Sequence, residues 1–534
     1  MHSDMFSVRI RPWQSQLLLV FFLLISANLS FFAELTALYP LPQHLGFVLS
    51  VALLLGFLLL LMIQLLSILI APRWLYPILL LIAAITGYFT DELGTVFDRI
   101  MLTNVLQTNP DEAKDLLSAG LVWRIMLLAV LPGLLLSGSK GLQRPAIKAS
   151  VISLCSIFAL TLLSMLPFSD QYASFFREHK SVRYHANPIY PIYSAVDLVA
   201  RQLRNPAHKQ LVKLTGEHLA PKPTGHSELV IVVVGETARA DHFALNGYSR
   251  QTNPMLSKQA NLLSYANVSS CGTSTAVSVP CLFSFSHRDA FDLDSAKYTE
   301  NVLDVLHKAG VNVLWRDNNS DSKGVATRLP YEDFRSPDHN PECDKTECRD
   351  IGMLAGLQDY INQQQGDILI VLHQMGSHGP AYHKRYPANF EHFVPACKSQ
   401  ELAECSTQEI INAYDNSILY TDYFLNQVIE LLKRNTPKFE TAMLYMSDHG
   451  ESLGENGLYL HGMPYFLAPR SQTHVPFLVW VGESSDILLE PSRGLTHQAY
   501  SHDDFSCSLL QSFEIDSHII GNTPCVPYFV YRDE

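Results

Sequence analysis

The apolar and polar positions divide the chain into two contrasting parts. Before about residue 170, five stretches are long and apolar enough to cross a bilayer, which takes about 20 apolar residues. These predicted spans are 14–33, 46–71, 74–90, 117–137 and 149–168. Further spans follow the first one at once, and no small-residue cleavage site stands out, so we interpret it as a span and not as a signal peptide. The pattern predicts a five-helix transmembrane anchor over residues 1–170.

Charges in the connecting loops predict how these spans are oriented. Six basic residues lie on the side of the N-terminus: Arg9, Arg11, Arg73, Lys140, Arg144 and Lys148. The alternate loops hold none between 36 and 45, and only Arg99 and Lys114 between the third and fourth spans. The positive-inside rule therefore places the N-terminus in the cytoplasm. Since the number of spans is odd, the chain after about residue 170 is predicted to lie outside.

Residues 171–222 form neither a span nor an evident core. Aromatic residues recur there at helical spacing beside Lys and Arg, as in "DQYASFFREHKSVRYH". This pattern is typical of a helix lying at the lipid interface. A linker packed on the exported domain is the plainer interpretation, and the two are compatible. The stretch "APKPTGHSE" (220–228) predicts a boundary because its prolines and glycine favour a loop.

From residue 223 to 534 the pattern is that of an α/β domain. Short, nearly continuous apolar runs at 229–234, 311–315, 367–373, 441–446 and 475–481 predict strands buried on both faces. Helical stretches such as "NVLDVLHKAG" separate these runs. We therefore predict a mostly parallel sheet between helices, whose chemistry gathers at the carboxyl ends of the strands.

The net charge argues against one class of partner, and the positions of the cysteines predict disulfides. The net charge of −13 argues against a nucleic-acid partner, because phosphate binding needs a basic face. Of nine cysteines, Cys155 lies in a predicted span and eight lie in the exported part, where an oxidising compartment favours disulfides. Their clustered spacing favours local pairs. A cysteine-rich zinc site is the weaker alternative, since the chain has no C-x-x-C motif.

Polar residues follow three of the predicted strands. Glu236 follows the first, His373 and His378 accompany the third, and Asp448-His449 follow the fourth, with His461 beyond a glycine-rich loop. Glu, Asp and His are suitable zinc ligands, and three protein ligands plus a reacting group form an open catalytic site. Singly, each residue is more simply a cap or turn residue. Their recurrence at equivalent strand ends predicts a metal site.

The segment "SSCGTSTAVSVPCLFS" (269–284) is the candidate source of a nucleophile. It resembles a turn opening a helix, where backbone N–H groups favour an anion. A hydroxyl there could be deprotonated by a bound metal and attack phosphorus. Spacing alone leaves Thr273, Ser274 and Thr275 open, and a Ser/Thr-rich disulfide loop is the alternative. Pro280 complicates the helix because it lacks a backbone donor.

Four motifs together resemble the lipid A phosphoethanolamine transferases, including the mobile colistin-resistance enzymes, within the alkaline-phosphatase and sulfatase superfamily. They are "VVVGETARADHFALNGYSRQTNP", "SCGTSTAVSVPC", "HQMGSHGPAYHKRYP" and "SDHGESLGENGLYLHG". The resemblance extends over nearly the whole chain. It implies a zinc site formed by four residues, namely Glu236, Thr275, Asp448 and His449, with Thr275 as nucleophile, and it allows additional zinc.

The resemblance also assigns the surroundings of this site. His378 and His461 match positions that contact phosphoethanolamine or a second zinc, and Asn319 and Lys323 match positions lining the same pocket. His373 receives no direct role. Three disulfides carry over: Cys271–Cys281, Cys343–Cys348 and Cys397–Cys405. A fourth, Cys507–Cys525, is predicted from spacing alone.

The implied reaction takes phosphoethanolamine from phosphatidylethanolamine, holds it on Thr275 and passes it to a lipid A phosphate. It implies a multi-pass inner-membrane enzyme with a periplasmic catalytic domain, expected to be monomeric, whose product lowers susceptibility to polymyxin, colistin and cationic peptides. A glycerol-phosphate polymer synthase, a sulfatase and a non-enzymatic membrane zinc sensor are the rivals. Arg124, inside the fourth span, is expected to snorkel in preference to contacting a lipid phosphate.

Overall fold

The computed structural model describes residues 11–108, 110–137, 142, 147–204, 210–215, 226–344, 347–515 and 526–532. The chain divides into two compact units. One comprises Met1–Leu102 and Leu117–Arg204, and the other comprises Thr103–Leu116 and Asn205–Glu534. We refer to them, after the roles predicted from the sequence, as the membrane unit and the catalytic unit. The predicted boundary at residues 222 and 223 lies outside the described residues.

The described residues before 205 form eleven α-helices. They are α1 Pro12–Ser26, α2 Leu29–Leu38, α3 Leu41–Leu69, α4 Pro72–Leu93, α5 Arg99–Gln107, α6 Pro110–Asp115, α7 Ala119–Ile125, α8 Leu131–Ser137, α9 Ile147–Met165, α10 Ser169–Glu178 and α11 Ile189–Arg204. A π-helical turn, Met126–Val130, joins α7 to α8. Four helical stretches of the described chain are long and apolar enough to cross a membrane, and the bent pair α1–α2 makes a fifth if it counts as one span.

The first predicted span, 14–33, is not a single helix. It breaks between α1 and α2, whose axes differ by 62°. Asn28 lies at the break with non-helical backbone angles, and its side-chain amide donates to the carbonyls of Leu23 (2.9 Å) and Asn187 (2.8 Å). The side chain thus satisfies backbone carbonyls at a point where helical bonding stops, which an apolar interior requires. Apolar content alone gave no sign of this break.

Arg124 has an ion-pair partner, Asp91 near the end of α4, that the sequence did not reveal. Its guanidinium pairs with Asp91, and the two side chains are only 13% and 11% exposed. Gly87 makes room for this pair, because a Cβ at that position would lie 2.9 Å from Arg124 Nη2. Partnering a charge with its opposite is the usual way in which a membrane domain tolerates arginine. Contact of Arg124 with a lipid phosphate is therefore not needed to explain its presence.

The predicted bridging segment contains two amphipathic helices, α10 and α11. Tyr193, Val196 and Val199 are more than half exposed on α11 at near-helical spacing, and Leu203 continues this apolar stripe. A stripe of this kind fits a helix that lies at a lipid interface. Its placement there stays a prediction.

The catalytic unit is built on strands of mixed length. They are β1 Ser227–Gly235, β2 Leu262–Ser269, β3 Asn312–Asp317, β4 Tyr331–Asp333, β5 Ile368–His373, β6 Phe439–Ser447, β7 Ser452–Leu453, β8 Tyr459–Leu460, β9 His474–Val481, β10 Ile487–Leu488, β11 Tyr500–Ser501 and β12 Val530–Tyr531. The α-helices are α12 Thr275–Leu282, α13 Leu293–Ala296, α14 Val302–Lys308, α15 Leu357–Gln363, α16 Thr407–Asn435, α17 Arg470–Thr473, α18 Leu489–Arg493 and α19 Phe505–Gln511.

Eight strands form the main sheet, in the order β11-β2-β9-β6-β1-β5-β3-β4. The strands β6, β1, β5, β3 and β4 run parallel, whereas β9 is antiparallel to both β6 and β2. The alternating sides of β1 pack into two different cores: Val230, Val232 and Val234 face one, and Leu229, Ile231 and Val233 face the other. Burial on both faces explains why these strands are continuous apolar runs.

A pair of acids lies at the opposite end of the sheet from the predicted site. Glu228 on β1 is in register with Glu440 on β6, and its backbone N–H donates to Asp367 Oδ1 at 3.0 Å. Burial, together with repulsion from Glu440, Glu514 and Asp367, raises the pKa of Glu228 to about 10. A carboxyl group with a raised pKa in the folded protein favours the unfolded state increasingly as pH rises above 4.5, where the unfolded side chain ionises.

We therefore expect Glu228→Gln to stabilise the protein by about 2 kcal/mol at pH 8, with the gain shrinking towards pH 5. Thermal unfolding of the full chain in detergent at both pH values measures this difference. Glu430→Gln is the matched control, because Glu430 lies on the surface of α16 beside Lys433 and is 42% exposed. A gain that is equal at both pH values, or that the control shares, would contradict the assignment.

Candidate metal centre

Two adjacent parallel strands deliver the acids of the site. Gly235, the last residue of β1, is in register with Ser447, the last residue of β6, so Glu236 and Asp448 emerge side by side. The Asp448 N–H donates to the Gly235 carbonyl at 2.9 Å, and Asp448 Oδ1 accepts from the N–H groups of Thr237 (3.2 Å) and His449 (2.7 Å). Both side chains are fully buried. The hydrogen bonds between these two strands thus hold the two carboxylates next to each other.

His449 completes a buried set of possible metal ligands. Its Nε2 lies 3.5 Å from Glu236 Oε1 and 3.2 Å from Asp448 Oδ2. Its Nδ1 lies 2.9 Å from the Gly450 carbonyl oxygen. Because a carbonyl only accepts, Nδ1 carries the proton and Nε2 presents a lone pair. Burial and the neighbouring His461 lower the pKa of His449 to about 4, so this ring is neutral.

Thr275 is the first residue of α12 and faces these ligands. Its Oγ1 lies 3.1 Å from Glu236 Oε2 and 3.4 Å from His449 Nε2. Thr273 points elsewhere, because its hydroxyl donates to the Met463 carbonyl at 2.6 Å. Ser274 is the N-cap residue of α12, and the structure gives its hydroxyl no partner among the described residues. Of the three candidate hydroxyls, Thr275 is the one that these contacts place on the ligand set.

The helix that begins with Thr275 forms despite Pro280. It runs for eight residues to Leu282, and Ser278 N–H donates to the Ser274 carbonyl at 2.8 Å. The disulfide Cys271–Cys281 ties the turn before this helix to its last turn.

The other two disulfides that the resemblance implies are also present, Cys343–Cys348 and Cys397–Cys405. Cys525 lies outside the described residues, so its pairing with Cys507 stays a prediction.

Asn319 and Lys323 follow β3 and differ in their contacts. The Asn319 amide donates to Glu236 Oε2 and to the Gln374 carbonyl, both at 2.7 Å. Asn319 therefore holds the Glu236 carboxylate through Oε2 and leaves the other oxygen, Oε1, without a hydrogen bond from the described residues. Lys323 is buried, and its ammonium donates to the Ser320 carbonyl at 3.0 Å. The structure does not bring it into hydrogen-bond contact with the ligand set.

Three further histidines surround this set. The rings of His461 and His449 are 4.3 Å apart, and those of His461 and His378 are 5.4 Å apart. Nitrogens of His378 and His461 and an oxygen of Glu236 lie within 4.8 Å of one another and could hold a second ion. His373 is fully buried, with Nδ1 3.0 Å from Asp317 Oδ2. His373 is in neither ligand group. Against the effect of burial, the charge of Asp317 raises the pKa of His373 and so favours the protonated ring, which cannot bind a metal.

A wide polar cavity adjoins the loop that carries His378. Its volume is about 670 Å³, within the usual range for ligand sites, and its lining includes Asn318, Met375, Lys384, Arg385, Pro110, Glu112, Lys114 and Asp115. Arg385 Nε donates to the His378 carbonyl at 2.6 Å, and its other nitrogens pair with Glu347 and Asp115. The cavity is large enough for a phosphorylated headgroup.

Comparison with known proteins identifies the family. Residues 228–515 match the family model described as Sulfatase, and residues 55–203 match that described as Phosphoethanolamine transferase EptA/EptB. Phosphatidylethanolamine transferase Mcr-2 of Escherichia coli is 44% identical over 532 residues, which cover 96% of this chain and 97% of that protein. The chain belongs to the phosphoethanolamine transferase family. Phosphoethanolamine transferase EptA of E. coli strain K12 is 37% identical and covers 92% of both chains.

A solved relative matches both parts of this chain. The integral membrane protein lipooligosaccharide phosphoethanolamine transferase A from Neisseria meningitidis matches 95% of this chain and 97% of its own, with a TM-score of 0.90 and 32% identity. This likeness and the family models confirm the predicted resemblance and fold class: apolar helices, then an alkaline-phosphatase and sulfatase-type domain with a mostly parallel sheet. The chain is thus a multi-pass membrane protein with a soluble domain.

The two buried carboxylates of this site need a compensating positive charge, which a bound cation would supply. Glu236 Oε1 and Asp448 Oδ2 are buried without a hydrogen-bond donor among the described residues. Burial and the proximity of Asp448 raise the pKa of Glu236, and burial raises the pKa of Asp448. These two oxygens, His449 Nε2 and Thr275 Oγ1 therefore direct lone pairs at one point. Such a donor set fits a divalent metal such as zinc.

Several residues that support the histidines and the strand ends of this site could not be recognised from the sequence. Asp317 holds His373, Glu451 holds His461, and the buried imidazole of His502 donates to the Ser447 carbonyl at 3.0 Å, just before Asp448. Gly376 also supports the site, because its φ of +53° and the Glu236 carbonyl, 2.8 Å from where a Cβ would lie, leave no room for a side chain. The only available signal was proximity in sequence to a motif.

We expect Asn319→Ala to weaken metal binding by about 10-fold or more, because it removes the donor that orients Glu236. Bound zinc, measured by elemental mass spectrometry after dialysis of the full chain against graded chelator, checks this. Asn312→Ala is the control, since Asn312 has the same side-chain type, bonded to the Gln365 carbonyl at the start of β3. Equal zinc retention by both variants would contradict the role of Asn319.

Proposed function

We propose that this protein transfers phosphoethanolamine from phosphatidylethanolamine to a phosphate of lipid A through a covalent intermediate on Thr275. The observation that carries the proposal is the convergence of Thr275 Oγ1, Glu236, Asp448 and His449 at one buried point, in a chain that belongs to the phosphoethanolamine transferase family. The relatives named Mcr-2 and EptA support the transferred group.

Glu236, Asp448, His449 and Thr275 would hold zinc. When bound, zinc supplies positive charge that lowers the pKa of an adjacent hydroxyl and stabilises phosphoryl oxygens. His378 and His461, together with Glu236, form a second group suited to an additional ion or to the phosphoethanolamine itself. Each imidazole has a lowered pKa through burial, so each is neutral and offers one N–H donor and one lone pair.

The first step is a displacement at phosphorus. Thr275 Oγ1 loses its proton and forms a bond to the phosphorus of phosphatidylethanolamine, while the bond to the diacylglycerol oxygen breaks and that oxygen takes up a proton, so that no net proton is gained or lost. Glu236 Oε2 lies 3.1 Å from Thr275 Oγ1 and orients the hydroxyl before attack. The N-terminal N–H groups of α12 face the developing phosphoryl charge. Phosphoethanolamine stays on Thr275 as an ester.

The second step regenerates the hydroxyl. An oxygen of a lipid A phosphate bonds to the same phosphorus, the bond to Thr275 Oγ1 breaks, and Thr275 takes back a proton. Lys323 and His378 would donate to the phosphoryl oxygens, whereas His461, whose Nδ1 faces Glu451, would present its Nε2 lone pair to the ammonium group or to a second ion. For Lys323 this requires its ammonium to leave the Ser320 carbonyl, which it contacts at 3.0 Å.

Membrane attachment suits this chemistry, because both substrates are lipids. We propose a transmembrane anchor over 1–170, a bridging segment over 171–222 and a catalytic domain over 223–534 in the periplasm of a bacterial inner membrane. The exposed apolar stripe of α11 and the disulfides of the catalytic unit support this placement. Added ammonium groups on lipid A would weaken attraction of cationic peptides and polymyxins.

The rivals differ in what they require of the site. A sulfatase would form its formylglycine from a C-x-P-x-R motif, whereas Cys271 and Cys281 beside the candidate nucleophile are disulfide-bonded. A glycerol-phosphate polymer synthase would leave a different group on the threonine. A membrane zinc sensor would need no nucleophile at all. The group found on Thr275 therefore separates these possibilities.

We expect the full chain, incubated with phosphatidylethanolamine, to acquire a phosphoethanolamine adduct that maps to Thr275 by intact and peptide mass spectrometry. Thr275→Ala should lose the adduct, and transfer to lipid A should fall by about 10³-fold or more, because the attacking oxygen is gone. Thr275→Ser should retain part of the activity.

Thr273→Ala is the matched control, since its hydroxyl contacts the Met463 carbonyl and not the ligand set. It should keep the adduct. An adduct in Thr275→Ala, or one on another residue, would refute the assigned nucleophile. A glycerol-phosphate adduct would favour the polymer synthase, and an unchanged lipid A mass spectrum from cells expressing the active chain would remove the proposed acceptor.

Metal removal should both stop transfer and destabilise the protein. We expect a chelator to lower the free energy of unfolding by about 3–4 kcal/mol, the value for a ligand present near 1,000 times its Kd, because the buried carboxylates lose their countercharge. Added zinc should restore both properties. The double variant Glu236→Gln/Asp448→Asn removes the charges, so its melting temperature should not respond to chelator. A wild-type melting temperature that chelator leaves unchanged would contradict the metal site.

A further inference from the structure

Glu451 is a buried carboxylate next to the ligand set to which the sequence assigned no role. It lies two residues after His449, and its side chain is fully buried. Its backbone is fixed on both sides, since its N–H donates to the Ser471 carbonyl at 2.8 Å and its carbonyl accepts from Arg239 Nη1 at 3.2 Å. A charged group in this position needs partners for both oxygens.

Both oxygens have such partners. Glu451 Oε2 lies 2.7 Å from His461 Nδ1, and Oε1 accepts from the Tyr382 hydroxyl, also at 2.7 Å. In its ionised form Glu451 only accepts, and it then holds His461 with the proton on Nδ1 and the lone pair on Nε2. Carboxylate partners of this kind fix the tautomer and the orientation of a functional imidazole.

The surrounding backbone is shaped to allow this arrangement. A Cβ at Gly379 would lie 2.7 Å from Glu451 Oε1 and 2.7 Å from the Tyr382 hydroxyl. Gly379 directly follows His378, so the absence of a side chain there brings the His378 loop against the Glu451–Tyr382 pair. The ring that Glu451 holds is 4.3 Å from His449 and 5.4 Å from His378.

We propose that Glu451 is a positioning residue for the transfer reaction: through the Glu451–His461 hydrogen bond it directs His461 Nε2 towards the group carried on Thr275. The inference rests on the proposed function and deepens it. Tyr382 supports Glu451 from its other oxygen. Glu451 itself touches neither Thr275 nor the ligand set.

Two substitutions at position 451 separate positioning from simple packing. In Glu451→Gln the amide oxygen can accept from His461 Nδ1–H while the NH₂ group faces the Tyr382 hydroxyl oxygen, so kcat should fall less than about threefold. Glu451→Met has similar volume but no acceptor, so kcat should fall by about 10- to 100-fold with a smaller change in KM. Tyr382→Phe leaves the bond to His461 in place and should cost less than Glu451→Met.

A double-variant cycle tests whether Glu451 acts through His461. If it does, Glu451→Met/His461→Ala should transfer phosphoethanolamine at the rate of His461→Ala alone, within about twofold. Multiplied losses in the double variant would show that Glu451 acts independently, and would overturn the inference. Thermal unfolding of all variants shows whether any loss comes from the fold.

A readout that needs no transfer activity completes the test. Carbethoxylation of His461 by diethyl pyrocarbonate, followed by peptide mass spectrometry of the full chain, reports the availability of its Nε2. Glu451→Gln should react at the wild-type rate, and Glu451→Met should react several-fold differently, with the exposed His497 as the internal reference. Identical rates in all three proteins would overturn the inference, whereas an inactive wild type with the expected labelling would overturn only the proposed function.

Discussion

The structure of the catalytic unit depends on one electrostatic constraint, the burial of two carboxylates side by side. Glu236 and Asp448 follow adjacent parallel strands that end in register at Gly235 and Ser447. Neither acid can turn away to solvent, because Asp448 accepts backbone N–H bonds and Glu236 accepts from Asn319. Two buried like charges need a compensating charge. The remaining oxygens, a neutral imidazole and a hydroxyl are arranged around the position where a cation would supply it.

The apolar pattern predicted those parts of the fold that burial alone determines. β1, β5 and β6 are buried on both faces, so their sequences were recognisable as strands, and the predicted runs at 229–234, 367–373 and 441–446 fall within one residue or inside them. β2 was missed because "LLSYANVS" is only half-buried and carries a register shift after Tyr265. The bend at Asn28 was also missed, because its cause is a hydrogen bond to Asn187, 159 positions away.

The residues of the candidate site also fall into two groups, those that the sequence could place and those that it could not. Residues that must lie at strand ends, such as Glu236 and Asp448, could be placed from the sequence because parallel strands bring their carboxyl ends together. The choice among Thr273, Ser274 and Thr275 could not be made from spacing, since it depends on which hydroxyl the turn directs at Glu236. Supporting residues such as Asp317 and Tyr382 were beyond prediction, because their roles are defined by contacts 56 and 69 positions away.

The histidines show how these supporting contacts determine chemistry. His449, His461 and His373 each have Nδ1 beside an acceptor, respectively the Gly450 carbonyl, Glu451 and Asp317. On a neutral ring, an acceptor on Nδ1 leaves the lone pair on Nε2, so the partners of His449 and His461 select the tautomer that a metal ligand requires. Against the effect of burial, the charge of Asp317 instead raises the pKa of His373. His378 differs, because its Nδ1 has no partner among the described residues, while Arg385 holds its backbone carbonyl. Its ring can therefore present either nitrogen to a neighbouring group, so the supporting contacts leave the tautomer of His378 open where they fix that of His449.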